Sequence, residues 1–207
     1  MITPSEAQKI ASLTKKSLVL SDVQRQLIVG TMLGDGTLEK NGRYHRLKVQ
    51  QSVGQKDYVL WKYGILKNWV ISEPHYQAVN QSLRFRTVTH PLLSKLREEF
   101  YSQSTKVVPK NIDEYIQEPL ILAVWFMDDG NLIRRYGTIR GLNINSHSFS
   151  KDENELLVDK LKYFFGLSAA VEKNNGGYRI RINQSSHGFF RTIISSHTIA
   201  SMQYKLG

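Results

Sequence analysis

The sequence predicts an α+β protein made of two similar halves. Two apolar segments, residues 28–36 and 122–130, each end in Asp-Gly and are each long enough for about two helical turns. Predicted strands and helices follow both segments in the same order, αββαββα, and a block repeated in this way indicates a pseudo-two-fold architecture. Alternation of polar and apolar residues in the predicted strands indicates sheets with one buried face each.

In the first half, local sequence signals predict where the elements lie. Ser21 and Gln24 form the pattern of a capping box, which predicts the start of the first apolar helix. Lys40-Asn41-Gly42 is a turn signal, and residues 44–51 after it predict a strand with Leu47 and Val49 on its buried face. The remaining predicted elements are a helix at 56–70, strands at 76–79 and 83–88, and a helix at 91–101.

The second half repeats this order. A strand is predicted at 139–145, where Gly141 is typical of a β-bulge. Ser150 and Glu153 form a second capping box before a helix that reaches residue 165. The Asn-Asn-Gly-Gly run at 174–177 predicts a hairpin. Its strands are expected at 169–173 and 178–183, and a last helix at 186–195.

The repeat predicts where the chain divides. Residues 1–20 form an N-terminal extension with a short amphipathic helix at 3–16, residues 21–106 the first half, and residues 119–207 the second half. Residues 107–118 between them, with prolines at the margins of this stretch, form the predicted linker.

Charge and composition favour some partners and exclude others. The chain has 207 residues with 28 Lys and Arg against 18 Asp and Glu, a net charge of +10 and a pI of about 9.7, which favours a nucleic-acid partner. The absence of cysteine excludes disulfides and thiolate zinc sites. Neither a membrane span of roughly 18 apolar residues nor a signal peptide is apparent. We therefore expect no membrane partner and an intracellular protein, in an organelle or a prokaryotic cytoplasm.

Each apolar helix ends in an acid at an unfavourable place. An Asp in the last turn of a helix meets the negative end of the helix dipole, which costs roughly 0.3–1 kcal/mol, while the following Gly is a common C-terminal cap. Two such acids, Asp35 and Asp129, suggest that cations bind at both helix ends. The alternative is a pair of core helices without further role, which leaves both acids unexplained.

Both segments resemble the LAGLIDADG motif, and the chain is similar to the single-chain, two-motif homing endonucleases of mobile introns. Residues 125–130 (WFMDDG), 145–149 (NSHSF) and 203–206 (QYKL) most resemble the omega-intron mitochondrial type, and the resemblance covers residues 22–206. It implies motif helices at a central interface and two curved antiparallel sheets that form a DNA-binding saddle. It also implies a monomer that cuts both strands of a long asymmetric DNA site by metal-dependent hydrolysis, thereby promoting intron mobility.

The resemblance also assigns roles to residues near the two helix ends. It implies catalytic roles for Asp35 and Asp129 and, near each of them, for Lys106 and Lys205. Mg²⁺, for which Mn²⁺ could substitute, is expected at a site formed by Asp35, Asp129, Gly34 and Asp128. Gln51 and His147 follow equivalent strands and are either at the periphery of the active site or ordinary polar residues at strand ends.

The contact between the motif helices is expected to be asymmetric. Gly30 and Gly34 lie four residues apart, on one face of the first helix. The second helix offers only Ala123 among bulky residues. We therefore expect the glycine face to receive larger side chains from the second helix.

The polar faces of the predicted strands form the candidate DNA-binding surface. Arg pairs with guanine, and Gln or Asn with adenine, through bidentate contacts, and acids are absent from the chosen positions, although any exposed sheet face is polar. These positions are Arg46, Lys48, Gln50, Arg84, Arg86, Asn143, Asn145, Arg179, Arg181 and Asn183.

Two alternatives to a DNA endonuclease remain open from the sequence. One is an RNA-binding intron maturase with the same fold, whose partner is intron RNA. The other is a non-cutting DNA-binding relic. The presence of Asp35 and Asp129 favours cleavage, but a bifunctional protein would retain them as well.

Overall fold

A computed structural model describes residues 17–174 and 176–207 of the chain. It combines α-helices with two four-stranded antiparallel sheets, which confirms the predicted α+β class. The helix predicted at 3–16 lies outside the described residues. Within the described ranges, no helix is both long and apolar enough to cross a membrane.

The elements follow the predicted order along the chain. The first part contains α1 (Asp22–Leu33), β1 (Thr37–Asn41), β2 (Tyr44–Ser52), α2 (Lys56–Ile65), β3 (His75–Gln77), β4 (Ser82–Arg86) and α3 (Pro91–Phe100). After the short strands β5 (Tyr101–Ser102) and β6 (Thr105–Lys106), the second part contains α4 (Pro119–Asp129), β7 (Gly130–Arg135), β8 (Thr138–Ile144), α5 (Lys151–Phe165), β9 (Ala169–Asn174), β10 (Gly177–Ile182) and α6 (His187–Ser195). A 3₁₀ segment follows at Ala200–Lys205.

The two sheets have the same topology. Their strand orders are β1-β2-β4-β3 and β7-β8-β10-β9, so the duplication predicted from the sequence is confirmed at the level of strand order. The outer strands β1 and β7, which directly follow the motif helices, were not located from the sequence, because their short and mostly polar segments lack a clear alternation.

The chain forms two compact units whose bounds differ from those of the sequence repeat. Among the described residues, the first unit contains 17–25 and 37–97, and the second contains 26–36 and 98–207. Most of α1 therefore groups with the second unit. The division into halves at 21–106 and 119–207 stays a prediction from the sequence repeat. The compact units describe which residues pack together in the folded chain.

Each unit has an apolar core beneath its sheet. In the first unit, Leu47 and Val49 of β2 are buried together with Tyr58 of α2, which confirms the predicted buried face of this strand. In the second unit, every residue of α4 from Leu120 to Met127 is buried. A helix that is apolar on all sides requires packing on all sides, and this places α4 at the centre of its unit.

Local signals predicted the ends of several elements correctly. The main-chain nitrogens of Ser21 and Gln24 each donate to the other's side chain, at 3.2 and 3.3 Å, and Ser150 and Glu153 form a capping box before α5. The bulge expected at Gly141 is present, since the register between β7 and β8 shifts there.

Two other elements are shorter than predicted. The helix expected at 56–70 ends at Ile65, and a 3₁₀ turn follows at Lys67–Trp69. The strand expected at 76–79 ends at Gln77, because Ala78–Asn80 form a 3₁₀ turn that leads through the left-handed Gln81 into β4. Hydrophobic patterning does not report such tight turns.

Candidate active centre and sheet faces

The two motif helices approach closely on the glycine face of α1. A Cβ atom placed on Gly30 would lie 2.7 Å from Cβ of Val124, and one placed on Gly34 would lie 2.5 Å from Cβ of Asp128. Neither gap admits a methyl group. The predicted asymmetric contact, in which glycines of one helix receive larger residues of the other, is therefore confirmed.

Gly30→Ala is expected to destabilise the protein by about 1–3 kcal/mol, because the added methyl overpacks the contact with α4. Gly64→Ala is the matched control, since Gly64 is also helical but has nothing within 4 Å of an added Cβ. We expect this control to be neutral or stabilising by up to about 1 kcal/mol. Thermal or urea unfolding measures both, and equal stability of the two variants would contradict the close contact.

Three carboxylates meet at the ends of these helices. Asp35 lies two residues beyond the end of α1, so its predicted place in the last turn of the helix is wrong. Its main-chain N–H donates to Oδ2 of Asp128 at 3.3 Å. Asp35 is exposed, Asp129 is half-buried and Asp128 is buried. Desolvation, followed by the negative charges of Asp35 and Asp128, raises the pKa of Asp129 to about 8, although Lys106 and Lys205 oppose this. The site therefore carries excess negative charge that a cation would relieve.

Each motif helix also has a lysine at its carboxyl end. Lys106 of β6 donates from Nζ to the carbonyl oxygen of Gly34 at 2.6 Å. Lys205, at the end of the last 3₁₀ segment, donates to the carbonyl oxygens of Met127 and Asp128 at 2.6 and 2.9 Å. Both lysines thus contact the carbonyl that precedes the terminal acid, where a helix leaves main-chain oxygens without intrahelical partners. The structure brings together all four residues that the sequence assigned to catalysis.

The available donors suit a hard divalent cation. The carboxylates of Asp35 and Asp129 and the carbonyl oxygens of Gly34 and Asp128 are oxygen ligands, which Mg²⁺ prefers. Among the described residues, no group of three or more His, Asp or Glu side chains is arranged as a metal cage. Mg²⁺ takes one or two carboxylates and completes its shell with water and phosphate oxygens. The side chain of Asp128 is already directed at the backbone of Asp35, so Asp129 remains the better ligand.

Gln51 and His147, the two peripheral candidates, lie in different units. Gln51 is buried at the end of β2 in the first unit. His147 is half-buried in the second unit, two residues after Asn145, whose main-chain N–H donates to the carbonyl of Asp129 at 3.0 Å. Three hydrogen bonds from the buried amide of Asn154 hold the loop that follows β8, and this loop positions His147. Sequence reasoning did not identify Asn154.

In the first unit, long polar side chains share one face of the sheet. The strand pairing sets Lys48 opposite Arg86 and Gln50 opposite Arg84, and all of these side chains are half-buried. Gln50 donates to Ser82 at 2.7 Å. This is the alternation that the sequence predicted, with Arg46 on the same face.

In the second unit, one of the five candidate DNA-binding residues is not exposed on the sheet face. Arg181 is exposed and Asn145 is half-buried, and Asn183 donates to Ser168 Oγ at 2.6 Å. Asn143, however, is fully buried, so its prediction as an exposed DNA contact is wrong. Asn143 lies on the central strand β8, between Asn131 of β7 and Arg181 of β10, and both polar atoms of its side chain are buried.

Acidic side chains on both sheets qualify the prediction of an acid-free face. Glu39 of β1 accepts hydrogen bonds from Nε of Arg46 at 2.7 Å and Nε of Arg86 at 2.5 Å. Glu172 of β9 accepts from Arg179 at 3.0 Å and Arg181 at 2.9 Å. The chosen positions contain no acid, but the neighbouring strands supply one to each sheet.

Arg84→Ala and Arg181→Ala are each expected to relax base preference at a different position of a DNA target. A bidentate arginine–guanine contact contributes about 1–3 kcal/mol of discrimination. Cleavage of a panel of single-base target variants measures the effect. Arg25→Ala, which removes an exposed charge from α1, is the control, and a profile identical to this control would refute direct readout.

Sites that hold divalent cations are used by nucleases among other enzymes, and arginine-rich sheet faces suit a nucleic-acid partner. Residues 25–190 match the model of the LAGLIDADG DNA endonuclease family. The chain belongs to this family.

Two relatives illustrate the range of proteins that the chain is similar to. It is 28% identical over 202 residues to probable intron-encoded endonuclease 1 of Wickerhamomyces canadensis, covering 93% of this chain and 87% of that protein. It is also 28% identical over 202 residues to cytochrome b mRNA maturase bI2 of Saccharomyces cerevisiae, covering 87% of this chain and 46% of that protein. The chain thus spans about half the length of the maturase.

Solved structures share the fold. The homing endonuclease I-WcaI bound to its DNA recognition sequence superimposes with a TM-score of 0.85 at 24% identity, covering 100% of this chain and 99% of that chain. I-DmoI in complex with DNA and Mn gives a TM-score of 0.55 at 16% identity, covering 84% and 98%. These matches establish a LAGLIDADG homing-endonuclease fold.

Proposed function

We propose that this protein is a site-specific homing endonuclease that hydrolyses one phosphodiester bond in each strand of a long, asymmetric DNA target. It acts as a monomer with Mg²⁺, for which Mn²⁺ substitutes, and its cleavage promotes intron mobility. The observation that carries this proposal is the paired arrangement at the helix ends. Each motif acid, Asp35 and Asp129, follows a carbonyl oxygen that accepts a hydrogen bond from a lysine.

The residues of the site have different chemical roles. Asp35 and Asp129 would hold the metal, together with the carbonyl oxygens of Gly34 and Asp128. A divalent cation supplies activation of water and stabilisation of the leaving oxygen when bound. Lys106 and Lys205 place positive charge where negative charge develops on the scissile phosphate, and such preorganised charge stabilises a transition state. Two sets of these groups account for two cut strands.

The arginine-rich faces of the two sheets provide DNA affinity and base readout. Contacts with phosphates supply affinity without sequence information, whereas contacts with base edges supply specificity. In the proposal, Gln51 and His147 are residues at the periphery of the active site. One relative named as intron-encoded and another named for cytochrome b mRNA support an organelle as the compartment.

Cleavage of the homing site tests the proposal. The purified protein is mixed with a duplex that spans the intron-free exon junction of its host gene, with Mg²⁺ or with a chelator. Metal-dependent cutting of both strands at one position is the expected result. Tight binding without cutting would instead indicate a DNA-binding relic.

A maturase activity is the second candidate, because two relatives are named mRNA maturases. It predicts that the protein binds its own intron RNA and accelerates splicing. Splicing assays with the wild-type protein and with Asp35→Asn separate the two activities, since RNA binding does not require the motif acids. Absence of both splicing activity and RNA binding would remove this candidate.

A further inference from the structure

Each sheet places one carboxylate among the arginines of its polar face. Glu39 and Arg46 are cross-strand partners in the β1–β2 hairpin, and Glu172 and Arg179 are partners in the β9–β10 hairpin. In both pairs the acid precedes the arginine by seven residues. Each acid also contacts a second arginine, Arg86 or Arg181.

Glu39 and Glu172 do not occupy equivalent positions in the two repeats, so the duplication does not account for both. In the shared strand order, β1 corresponds to β7 and β9 corresponds to β3. On β3, the position opposite Arg84 is occupied by His75, whose Nε2 lies 3.1 Å from Nη2 of Arg84. The same arrangement of one acid with two arginines therefore occurs on non-equivalent strands, which favours a common role over a shared origin.

The ion pairs of Glu39 are partly exposed to water, which limits their contribution to stability. The side chain of Glu39 is 25% exposed and those of Arg46 and Arg86 are each 27% exposed. Ion pairs with this much water around them contribute about 0–1 kcal/mol. Partial burial would raise the pKa of Glu39, but hydrogen bonds and charges from the two arginines hold it below its usual value, so the acid is ionised at neutral pH.

A carboxylate on a DNA-facing surface opposes binding of phosphates. It reduces the charge of each arginine pair from two to one, and a phosphate must compete with it for the same donors. A guanine edge is a different ligand, because its N7 and O6 acceptors are uncharged. Each guanidinium has five N–H donors, and Arg86 contacts Glu39 through Nε. Its terminal nitrogens can therefore contact a base while Nε stays on the acid. The other three arginines contact their acid through one terminal nitrogen, and the second terminal nitrogen is the one that can contact a base.

We propose that Glu39 and Glu172 are specificity-determining positioning residues, each of which holds two arginines in a base-reading orientation and weakens binding to DNA of unrelated sequence. The proposal rests on the proposed function, since it concerns the same DNA-binding faces. It is a case in which discrimination is achieved partly by disfavouring the wrong ligand.

Glu39→Gln and Glu172→Gln test the proposal, with Glu98→Gln as the charge-matched control at an exposed position of α3. Binding to an unrelated duplex is measured as a function of salt, and cleavage is measured on single-base variants of the target. We expect several-fold tighter binding to unrelated DNA and a steeper salt dependence, by about one unit of slope for one additional phosphate contact. We also expect several-fold weaker discrimination, at different target positions for the two variants.

Three results would overturn the proposal. The first is that both readouts match those of Glu98→Gln. The second is that affinity rises equally for target and unrelated DNA while discrimination is unchanged, which would be a simple charge effect. The third is that preference changes at one base pair while binding to unrelated DNA is constant, which would mean that the acids read bases directly.

Elution from immobilised heparin separates this proposal from the proposed function. Heparin is a polyanion, so Glu39→Gln and Glu172→Gln should elute at higher salt than Glu98→Gln whether or not the protein cuts DNA. Failure of the wild-type protein to cut its junction duplex would contradict the proposed function alone. Elution of all three variants at the same salt concentration would contradict the role of the acids alone.

Discussion

Asp35→Asn and Asp129→Asn are each expected to slow double-strand cleavage by roughly 10³-fold or more. A metal ion at a scissile phosphate supplies several kcal/mol of transition-state stabilisation, and about 1.4 kcal/mol corresponds to a tenfold change in rate. Asn has nearly the size of Asp but lacks the negative charge that holds the cation. Single-turnover cleavage at saturating protein concentration measures the chemical step without a contribution from binding.

DNA affinity should be largely retained in both variants, because contacts with phosphates supply most of it and neither acid provides such a contact. Asp159→Asn, at an exposed position of α5, removes the same charge away from the helix ends and should cut normally. Loss of binding by a folded Asp35→Asn protein would contradict the metal-ligand assignment. Cleavage at the wild-type rate would contradict it more directly.

The helix ends could be predicted because their signal is local. An acid at the carboxyl end of an apolar helix is unfavourable. Asp129 in the last turn of α4 and Asp35, two residues beyond the end of α1, therefore indicate a cation without any knowledge of the fold. The family resemblance then added Lys106 and Lys205. No spacing rule derives these lysines, since β6 and the last 3₁₀ segment bring them to the helix ends from distant parts of the sequence.

Side-chain parity along a strand was predictable, but contacts between strands were not. Arg46, Lys48 and Gln50 alternate with buried residues as predicted. The pairing of Glu39 with Arg46 required the register of the hairpin, and β1 had not been located. A two-residue turn after Asn41 fixes that register, so the turn signal at Lys40-Asn41-Gly42 was the information that could have revealed the pair.

Burial within a sheet also depends on neighbours that the sequence does not specify. Asn143 has the parity of a face residue and is nevertheless fully buried, between Asn131 on β7 and Arg181 on β10. Likewise, Gln26–Gly36 belongs by sequence to the first half but groups with the second unit. Both outcomes result from long-range packing, which neither composition nor periodicity reports.

Without divalent cations, Asp129→Asn is expected to be more stable than the wild-type protein, and increasingly so as the pH rises from about 5 to 8. The pKa of Asp129 is about 8 in the folded protein, against an ordinary value of 3.8. Between these values the unfolded chain loses a proton that the folded protein retains, so the free energy of unfolding falls with rising pH. Water around the half-buried side chain reduces the effect to about 2–3 kcal/mol, less than the full shift would give.

Thermal unfolding in a chelator at pH 5 and pH 8 measures this effect, which corresponds to roughly 5–10 °C for a chain of this size. Mg²⁺ at pH 8 should raise the melting temperature of the wild-type protein more than that of the variant, because a ligand that binds only the folded state stabilises it. A pH-independent difference between the two proteins would show that burial and the neighbouring carboxylates do not raise the pKa of Asp129. The acids at the helix ends would then no longer indicate a preformed cation site, because such a site is expected to lower the stability of the protein when no metal is bound.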